Sequence, residues 1–347
     1  WYTILGYSDE LYSSTDYSED GKVTLLNRAT KGNGIDIVIM GDAYSDRQIA
    51  AGDYSSDINK AIEALFSEEP YKSFRDYFNV YMVTVVSPYD GYGIGTTAFG
   101  GYFGSGTRVG GNDSSVINYA QKAISDERMD DAMLVVIMNR EYYAGTCYMY
   151  YPSGTSDCGK GLSISYFPLG TDDGMLAQLI LHETGGHGFA KLADEYSYSE
   201  MGRIPESDVQ SYKEQTQNWG WWKNVDFTSD TSAVRWSHFI NDNRYANEGL
   251  GAFEGGLTYW SGVWRPTDNS IMRYNTGGFN APSREAIYYR IHKLAYGDSW
   301  EYDYEKFVEW DKSKGAAASK ASSWHAPLKY PHTTPPVVVG HSWRDAK

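Results

Sequence analysis

The chain has 347 residues, 41% of them hydrophobic, which is enough to bury a large core in one domain or in two halves of one unit. Its formal net charge of -15 at pH 7 argues against nucleic acid or an anionic membrane surface as a partner. No run of the sequence approaches the roughly 18 apolar residues that a membrane span needs, so we expect no membrane span.

The first half of the chain alternates predicted strands and helices. Residues 1–30 are polar and rich in Ser, Tyr and Asp, which indicates a lead-in or an edge hairpin. Apolar runs predict buried strands, and helical spacing predicts helices between them, at strands 34–40, 78–86 and 133–138 and helices 46–66 and 114–124. This alternation is typical of an α/β sheet with crossover helices. The shorter, polar-alternating stretch 161–167 predicts a strand at the sheet edge.

A cluster of metal-binding residue types follows in the stretch 181–196, LHETGGHGFAKLADEY. A helix with Asp172 or Asp173 as its N-cap leads into it and is expected to pack on the sheet. His182 and His187, with Glu183 beside the first histidine, have the composition of a zinc peptidase site, where imidazoles bind the metal and a free glutamate handles protons. We expect the histidines to face a cleft beside the edge strand, where an extended peptide would bind by strand addition.

The spacing of the two histidines differs from the common H-E-x-x-H motif, where they are four residues apart on a helix. His182 and His187 are five apart, and on a regular α-helix they would differ by about 140° in direction. A π-type turn absorbs the extra residue, and Gly185 and Gly186 tolerate such a distortion. We therefore predict a bulge at residues 184–186; the alternative is a regular helix with two hydrogen-bonded histidines that bind no metal.

The chain after residue 196 is Trp-rich and less regular, and it contains the string WRPTDNSIMRYN at 264–275. A methionine beside an isoleucine is usually a core residue. Downstream of a two-histidine helix, however, SIMRY resembles the Met-turn of metzincin-type zinc peptidases. That resemblance implies that Met272 lies beneath the metal and that Tyr274 lies beside it.

Several stretches together resemble the IgA-peptidase family of metallopeptidases, a metzincin-like group. They span about residues 34–290 and read IDIVIMGDAYSD, FNVYMVTVVSPYDG, NREYYAG, HETGGHGFAKLADEY, FEGG, WRPTDNSIMRY and FNAPSREAI. Two features depart from that family. Its members mostly carry histidines four apart, whereas the H-E-x-x-G-H spacing here looks like that of dipeptidyl peptidase III-type enzymes. Members also tend to have a cysteine where Ser270 stands, with partners near 281–283, and that crosslink is absent here.

The resemblance implies an α/β, metzincin-like fold with a twisted mixed sheet, crossover helices, an active-site helix and an irregular C-terminal subdomain that carries the Met-turn. We expect a lead-in at 1–30 and a catalytic domain at 31–312, divided into 31–188 and 189–312. The tail at 313–347 begins with the linker-like GAAASKASS and continues as HTTPPVVVG, which is typical of extended chain.

The third metal ligand is expected in the extended segment 192–195. Because successive side chains of an extended segment point to opposite sides, only one of Asp194 and Glu195 can easily face the metal. The resemblance favours Asp194, because family members keep the same Asp-Glu pair. The other carboxylate would orient a histidine or bond to the surrounding backbone. The remaining histidines receive no metal role, although His238 is an outside candidate; they are His238, His292, His325, His332 and His341.

These parts predict a zinc-dependent endopeptidase that acts on extracellular proteins bound in an extended conformation. Zn²⁺ would activate a water, Glu183 would take its proton, and Tyr274 would donate to the developing oxyanion. Two alternatives stay open: a surface module that binds protein or glycan around a structural zinc, and another zinc hydrolase such as an amidase or exopeptidase.

The many aromatic and glycine residues, 31 Tyr, 11 Trp and 36 Gly, are frequent in exported bacterial proteins, so we expect a secreted, periplasmic or cell-surface protein. The chain begins at Trp1 and shows no signal sequence, which is compatible with a mature or trimmed form. In an exported protein Cys147 and Cys158 would pair as a loop staple, and otherwise they would be two free thiols.

Overall fold

The computed structural model describes residues 12–93, 96–315 and 332–346. The strands of these residues are, in chain order, β1 Val23–Asn27, β2 Ile35–Asp42, β3 Phe78–Val83, β4 Tyr102–Phe103, β5 Val109–Gly110, β6 Met133–Met138, β7 Thr146–Tyr151, β8 Ser163–Pro168, β9 Ser197–Arg203, β10 Phe253–Gly256, β11 Thr258–Arg265 and β12 Val337–Ser342. The α-helices are α1 Asp46–Ala51, α2 Asp53–Leu65, α3 Asp113–Ala120, α4 Asp173–Leu179, α5 Glu206–Trp219, α6 Ser237–Ile240, α7 Ile271–Tyr274, α8 Ala281–Tyr296 and α9 Tyr304–Trp310. A π-helix, Ile180–Phe189, continues directly from α4.

The central sheet has seven strands in the order β1-β3-β2-β6-β8-β7-β12. The inner strands β3, β2, β6 and β8 run parallel to one another. At the two sides, β1 runs antiparallel to β3 and β7 runs antiparallel to β8. The protein is therefore of mixed α/β class, as predicted.

The core lies on both faces of this sheet. Every residue of β2 and β6 is buried, as expected for parallel strands that are covered on both faces. Along β2 the side chains alternate: Ile37 and Ile39 join one apolar cluster with α2, the π-helix and α8, whereas Val38 joins a second cluster with α3. The predicted helix at 46–66 is present but divided, because Gly52, with a φ of 90°, ends α1 and precedes α2.

The predicted edge position of the strand at 161–167 is wrong. The corresponding strand, β8, pairs with β6 on one side and with β7 on the other. Its outer neighbour β7 is the segment TCYMYY, for which no strand was predicted from the sequence. β-Branched and aromatic residues favour strands, so this segment pairs with β8 and makes β8 an inner strand.

Both ends of the described chain contribute to the central sheet. β1, from the predicted lead-in, pairs with β3, and β12, from the predicted tail, pairs with β7 in parallel. Trp343, just after β12, is fully buried and donates from its ring nitrogen to Asp130 at 2.6 Å. The linker-like stretch GAAASKASS lies outside the described residues except for its first glycine.

The two cysteines are separate buried thiols, so the predicted loop staple does not form. The Cys147 sulfur lies on β7 and accepts from the Ser165 hydroxyl at 3.7 Å. The Cys158 sulfur lies in a loop, 3.2 Å from the Ser156 hydroxyl. Because each sulfur contacts a different serine on a different element, the free-thiol alternative is the one observed.

None of the helices in the described parts of the chain combines the length and the apolar character that crossing a membrane requires.

Candidate metal centre

The site is built on the π-helix that follows α4. The Asp172 side chain caps α4 by accepting from the Met175 amide at 2.9 Å, as predicted. Because a π-helix bonds residues five apart, His182 and His187 lie on one face, with their Nε2 atoms 3.0 Å apart. The predicted distortion is therefore present, but it extends over Ile180–Phe189 rather than over the single turn at 184–186.

Glycines let this helix approach its neighbours closely. A Cβ on Gly186 would collide with the sulfur of Met272, which is fully buried beneath the helix. A Cβ on Gly185 would lie 2.9 Å from the ring of Tyr71, whose hydroxyl donates to the Gly185 carbonyl at 2.6 Å. Gly185 and Gly186 therefore permit close packing on the helix as well as its distortion.

Three donor atoms form a small, buried triangle. Asp194 Oδ1 lies 3.2 Å from His182 Nε2 and 3.3 Å from His187 Nε2. Ligands of a tetrahedral ion at roughly 2.0–2.1 Å from the metal are about 3.3 Å apart. The spacing and chemistry of His182, His187 and Asp194 therefore fit one metal ion.

The other ring nitrogens fix how the two imidazoles are oriented. His182 Nδ1 lies 3.0 Å from the Ile271 carbonyl, and His187 Nδ1 lies 2.7 Å from the Leu192 carbonyl. A carbonyl oxygen only accepts, so each Nδ1 carries the proton and donates. In a neutral imidazole the Nε2 lone pair is then free to bind a metal.

The neighbouring carboxylate, Glu195, points away from the histidines. It accepts from three side chains at 2.6 to 3.1 Å, namely Ser270, Asn224 and Asn280. Its backbone amide donates to the Met272 carbonyl at 2.8 Å. Burial raises the pKa of Glu195, and these bonds partly offset the increase. The structure thus groups Asp194 with the histidines, and Glu195 holds the SIMRY segment, residues 270–274, in place.

Glu183 lies fully buried beside the donor triangle. Burial raises the pKa of its carboxyl group to about 8; the charge of His182 opposes this shift and that of Asp194 adds to it. Gly145, at the start of β7, lies against it so closely that a Cβ there would be 2.5 Å from the Glu183 Oε1 atom. For Asp194, by contrast, burial raises the pKa, but the charges and hydrogen bonds that His187 and His182 supply when protonated outweigh burial and lower the pKa to about 2.

The remaining predicted residues lie as follows. The Tyr274 ring stacks on the ring of His332, with centroids 6.0 Å apart. His238 pairs with Glu285 at 3.1 Å, and His292 Nδ1 donates to the Tyr288 carbonyl at 2.8 Å, so both have partners unrelated to the triangle. His341 is exposed, and His325 lies outside the described residues.

A segment near the end of the chain covers the site, which sequence reasoning missed. His332, which was given no role, stacks on Tyr196 with ring centroids 4.0 Å apart, and the Tyr196 hydroxyl donates to the Thr333 carbonyl at 2.8 Å. Tyr196 is the last residue of the stretch 181–196. Its position two residues after Asp194 was the only sequence signal that Tyr196 lies near the site.

The fold is mixed α/β, and the π-helix and the segment after it carry a buried group of three residues that could hold a metal ion. The family model for IgA Peptidase M64 matches residues 23–247, more than half of the chain, so the chain belongs to this peptidase family. The match contains the π-helix and the donor triangle, and it ends before the SIMRY segment. No curated protein shows significant similarity to the chain.

Proposed function

We propose that the protein is a zinc-dependent endopeptidase that cleaves extracellular proteins, with Glu183 as the general base. The observation that carries this proposal is the buried triangle of His182, His187 and Asp194 with a free carboxylate beside it. Extracellular substrates fit the aromatic- and glycine-rich composition that led us to expect export.

Zinc is the metal that this donor set favours. Two imidazoles and one carboxylate at tetrahedral spacing are typical of catalytic zinc sites, whereas Ca²⁺ and Mg²⁺ prefer sets made of oxygen ligands. When bound, zinc supplies a Lewis acid that polarises the scissile carbonyl and acidifies water.

The protein's own groups then perform the proton transfers. The Glu183 carboxylate takes a proton from the attacking water and returns it to the leaving amine nitrogen. Its burial in a dry site supports this role, because an unsolvated carboxylate holds a proton more readily than a surface one. Tyr274, whose ring faces the imidazole of His332, is proposed to donate to the developing oxyanion.

We further propose that the segment around α7 acts as a metzincin-like Met-turn. The Ile271 carbonyl orients His182, and the sulfur of Met272 fills the space opposite Gly186. Ser270, where relatives tend to have a cysteine, donates to Glu195 at 2.6 Å. This hydrogen bond is proposed to replace the crosslink in holding the turn against the site.

The test is hydrolysis of internally quenched peptides whose two ends are chemically blocked. We expect cleavage that a chelator abolishes and that Zn²⁺ restores, with Mg²⁺ and Ca²⁺ as matched controls that do not restore it. Cleavage only of peptides with a free terminus would indicate an exopeptidase. Zinc binding without any cleavage would favour a binding module with a structural zinc and would overturn the proposal.

A further inference from the structure

Residues 332–336, HTTPP, lie across the candidate site and are called the cleft segment below. Its first three residues bind the walls of the site mainly through their main chain, as an extended peptide does. Three main-chain hydrogen bonds run from the Thr107 hydroxyl to the His332 carbonyl at 3.3 Å, from the Tyr196 hydroxyl to the Thr333 carbonyl at 2.8 Å, and from the Thr334 amide to the Gly145 carbonyl at 3.3 Å. One side-chain hydrogen bond joins the Thr107 and Thr334 hydroxyls at 3.2 Å.

Aromatic rings pack around the imidazole of His332, the one ring of the cleft segment that stacks. The His332 ring lies parallel to the Tyr196 ring, at an angle of 10° and a centroid distance of 4.0 Å. Tyr274 faces the same imidazole, and Tyr198 lies at 60° to it with centroids 5.6 Å apart. His332 Nε2 is buried and has no hydrogen-bond partner among the described residues, so stacking rather than polar contacts fixes this ring.

The cleft segment lies directly over the groups proposed for catalysis. The Thr334 amide binds Gly145, the residue that touches the Glu183 carboxylate. The hydroxyl of Thr333 lies near that same carboxylate. A substrate whose scissile bond reached Glu183 and the donor triangle would need this space.

The chain that follows ties the cleft segment to the sheet. β12 pairs with the outer side of β7, with Val337 opposite Tyr148 and Val338 opposite Met149. Beyond β12, Trp343 is buried and Arg344 pairs with Asp130 at 3.1 Å. These contacts keep the cleft segment at a high effective concentration beside the site.

We propose that the cleft segment occupies the place of a substrate's main chain, so that the protein competes with its own substrates. The inference rests on the proposed function of the site. Peptide binding then requires that residues 332–336 leave, while the β12 contacts can persist. An intramolecular competitor of this kind raises the KM for peptide and leaves kcat unchanged.

The kinetic test compares His332→Ala with His341→Ala in the full chain loaded with zinc. Loss of the stacked ring is expected to lower the KM for a blocked, quenched peptide about 3- to 10-fold at unchanged kcat, a range typical of one aromatic contact. His341, exposed on β12, is the matched control and should keep the parent KM. A KM for His332→Ala equal to or above that of the control would overturn the proposal.

A binding test separates failure of this inference from failure of the proposed function. Both histidine variants are made in a Glu183→Ala background, which is expected to bind peptide without cleaving it. The probe is a fluorescent synthetic peptide with the sequence of residues 332–336, HTTPP, followed by anisotropy. The His332→Ala chain should bind it about 3- to 10-fold more tightly than the His341→Ala chain. Equal affinity, or no binding to either chain, would overturn the proposal even if peptide hydrolysis is observed.

Discussion

Replacement of Glu183 by alanine is expected to lower kcat for peptide hydrolysis by about 10²–10⁴-fold, the range typical of a lost general base. The carboxylate lies beside the donor triangle but outside it, so the metal should remain bound. The measurement is kcat on a blocked, quenched peptide together with the zinc content of the purified protein. Intact zinc content at greatly reduced kcat is the predicted combination.

Glu200→Ala is the control for that experiment, because Glu200 is an exposed glutamate on β9 and undergoes the same chemical change. It should retain both zinc and activity. If Glu183→Ala cleaved at the parent rate, Glu183 would not be the base. If it lost zinc in parallel with activity, the carboxylate would act on the metal rather than on the proton.

The neighbouring carboxylates Asp194 and Glu195 are expected to respond differently when each is replaced by its amide, with the larger loss of zinc affinity at Asp194 and the larger loss of stability at Glu195. Asp194→Asn removes one of three metal donors, so zinc affinity should fall by more than about 100-fold, beyond the range typical of residues that only support a ligand. The fold should persist, because the amide has nearly the same size as the carboxylate and the backbone hydrogen bond from the Leu257 amide to the Asp194 carbonyl is unchanged. Zinc titration in competition with a chromophoric chelator measures this change.

Glu195→Gln should instead act mainly on stability. The carboxylate accepts from Ser270, Asn224 and Asn280 in a fully buried setting, and an amide cannot accept all of these bonds. We expect a loss of about 1–3 kcal/mol in the free energy of unfolding of the metal-free protein. Zinc affinity should fall by about 10–100-fold, because the SIMRY segment orients His182. Loss of zinc with unchanged stability in this variant would assign the third ligand to Glu195.

Local patterns in the sequence were sufficient to predict the strands β2, β3 and β6 and the distortion of the helix that carries His182 and His187. The strand at 133–138 is an uninterrupted apolar run, and a run of that length and composition suits a strand buried on both faces. The five-residue spacing of His182 and His187 predicted a π-type distortion, because the direction of a side chain on a helix follows from its position. The length of the π-helix depends on packing against Tyr71 and Met272, which the motif does not contain.

Features that depend on distant parts of the chain were not predictable in this way. The inner position of β8 depends on its pairing with β7, and strand order is not encoded in either segment alone. Local spacing left Asp194 and Glu195 as alternatives, because the hydrogen bonds that engage Glu195 come from Ser270 and Asn280, which lie far along the chain. His332 reaches Tyr196 across more than a hundred residues, so no local pattern indicated that it covers the site.

We expect one metal ion to bind His182, His187 and Asp194 on the π-helix and the segment that follows it. A crystal structure of the zinc-loaded protein, with anomalous data on both sides of the zinc absorption edge, tests it most directly. The prediction is a single zinc peak about 2.0–2.2 Å from His182 Nε2, His187 Nε2 and an Asp194 carboxylate oxygen. A peak coordinated by Glu195, or a regular α-helix at 180–189 with no zinc bound, would contradict this expectation.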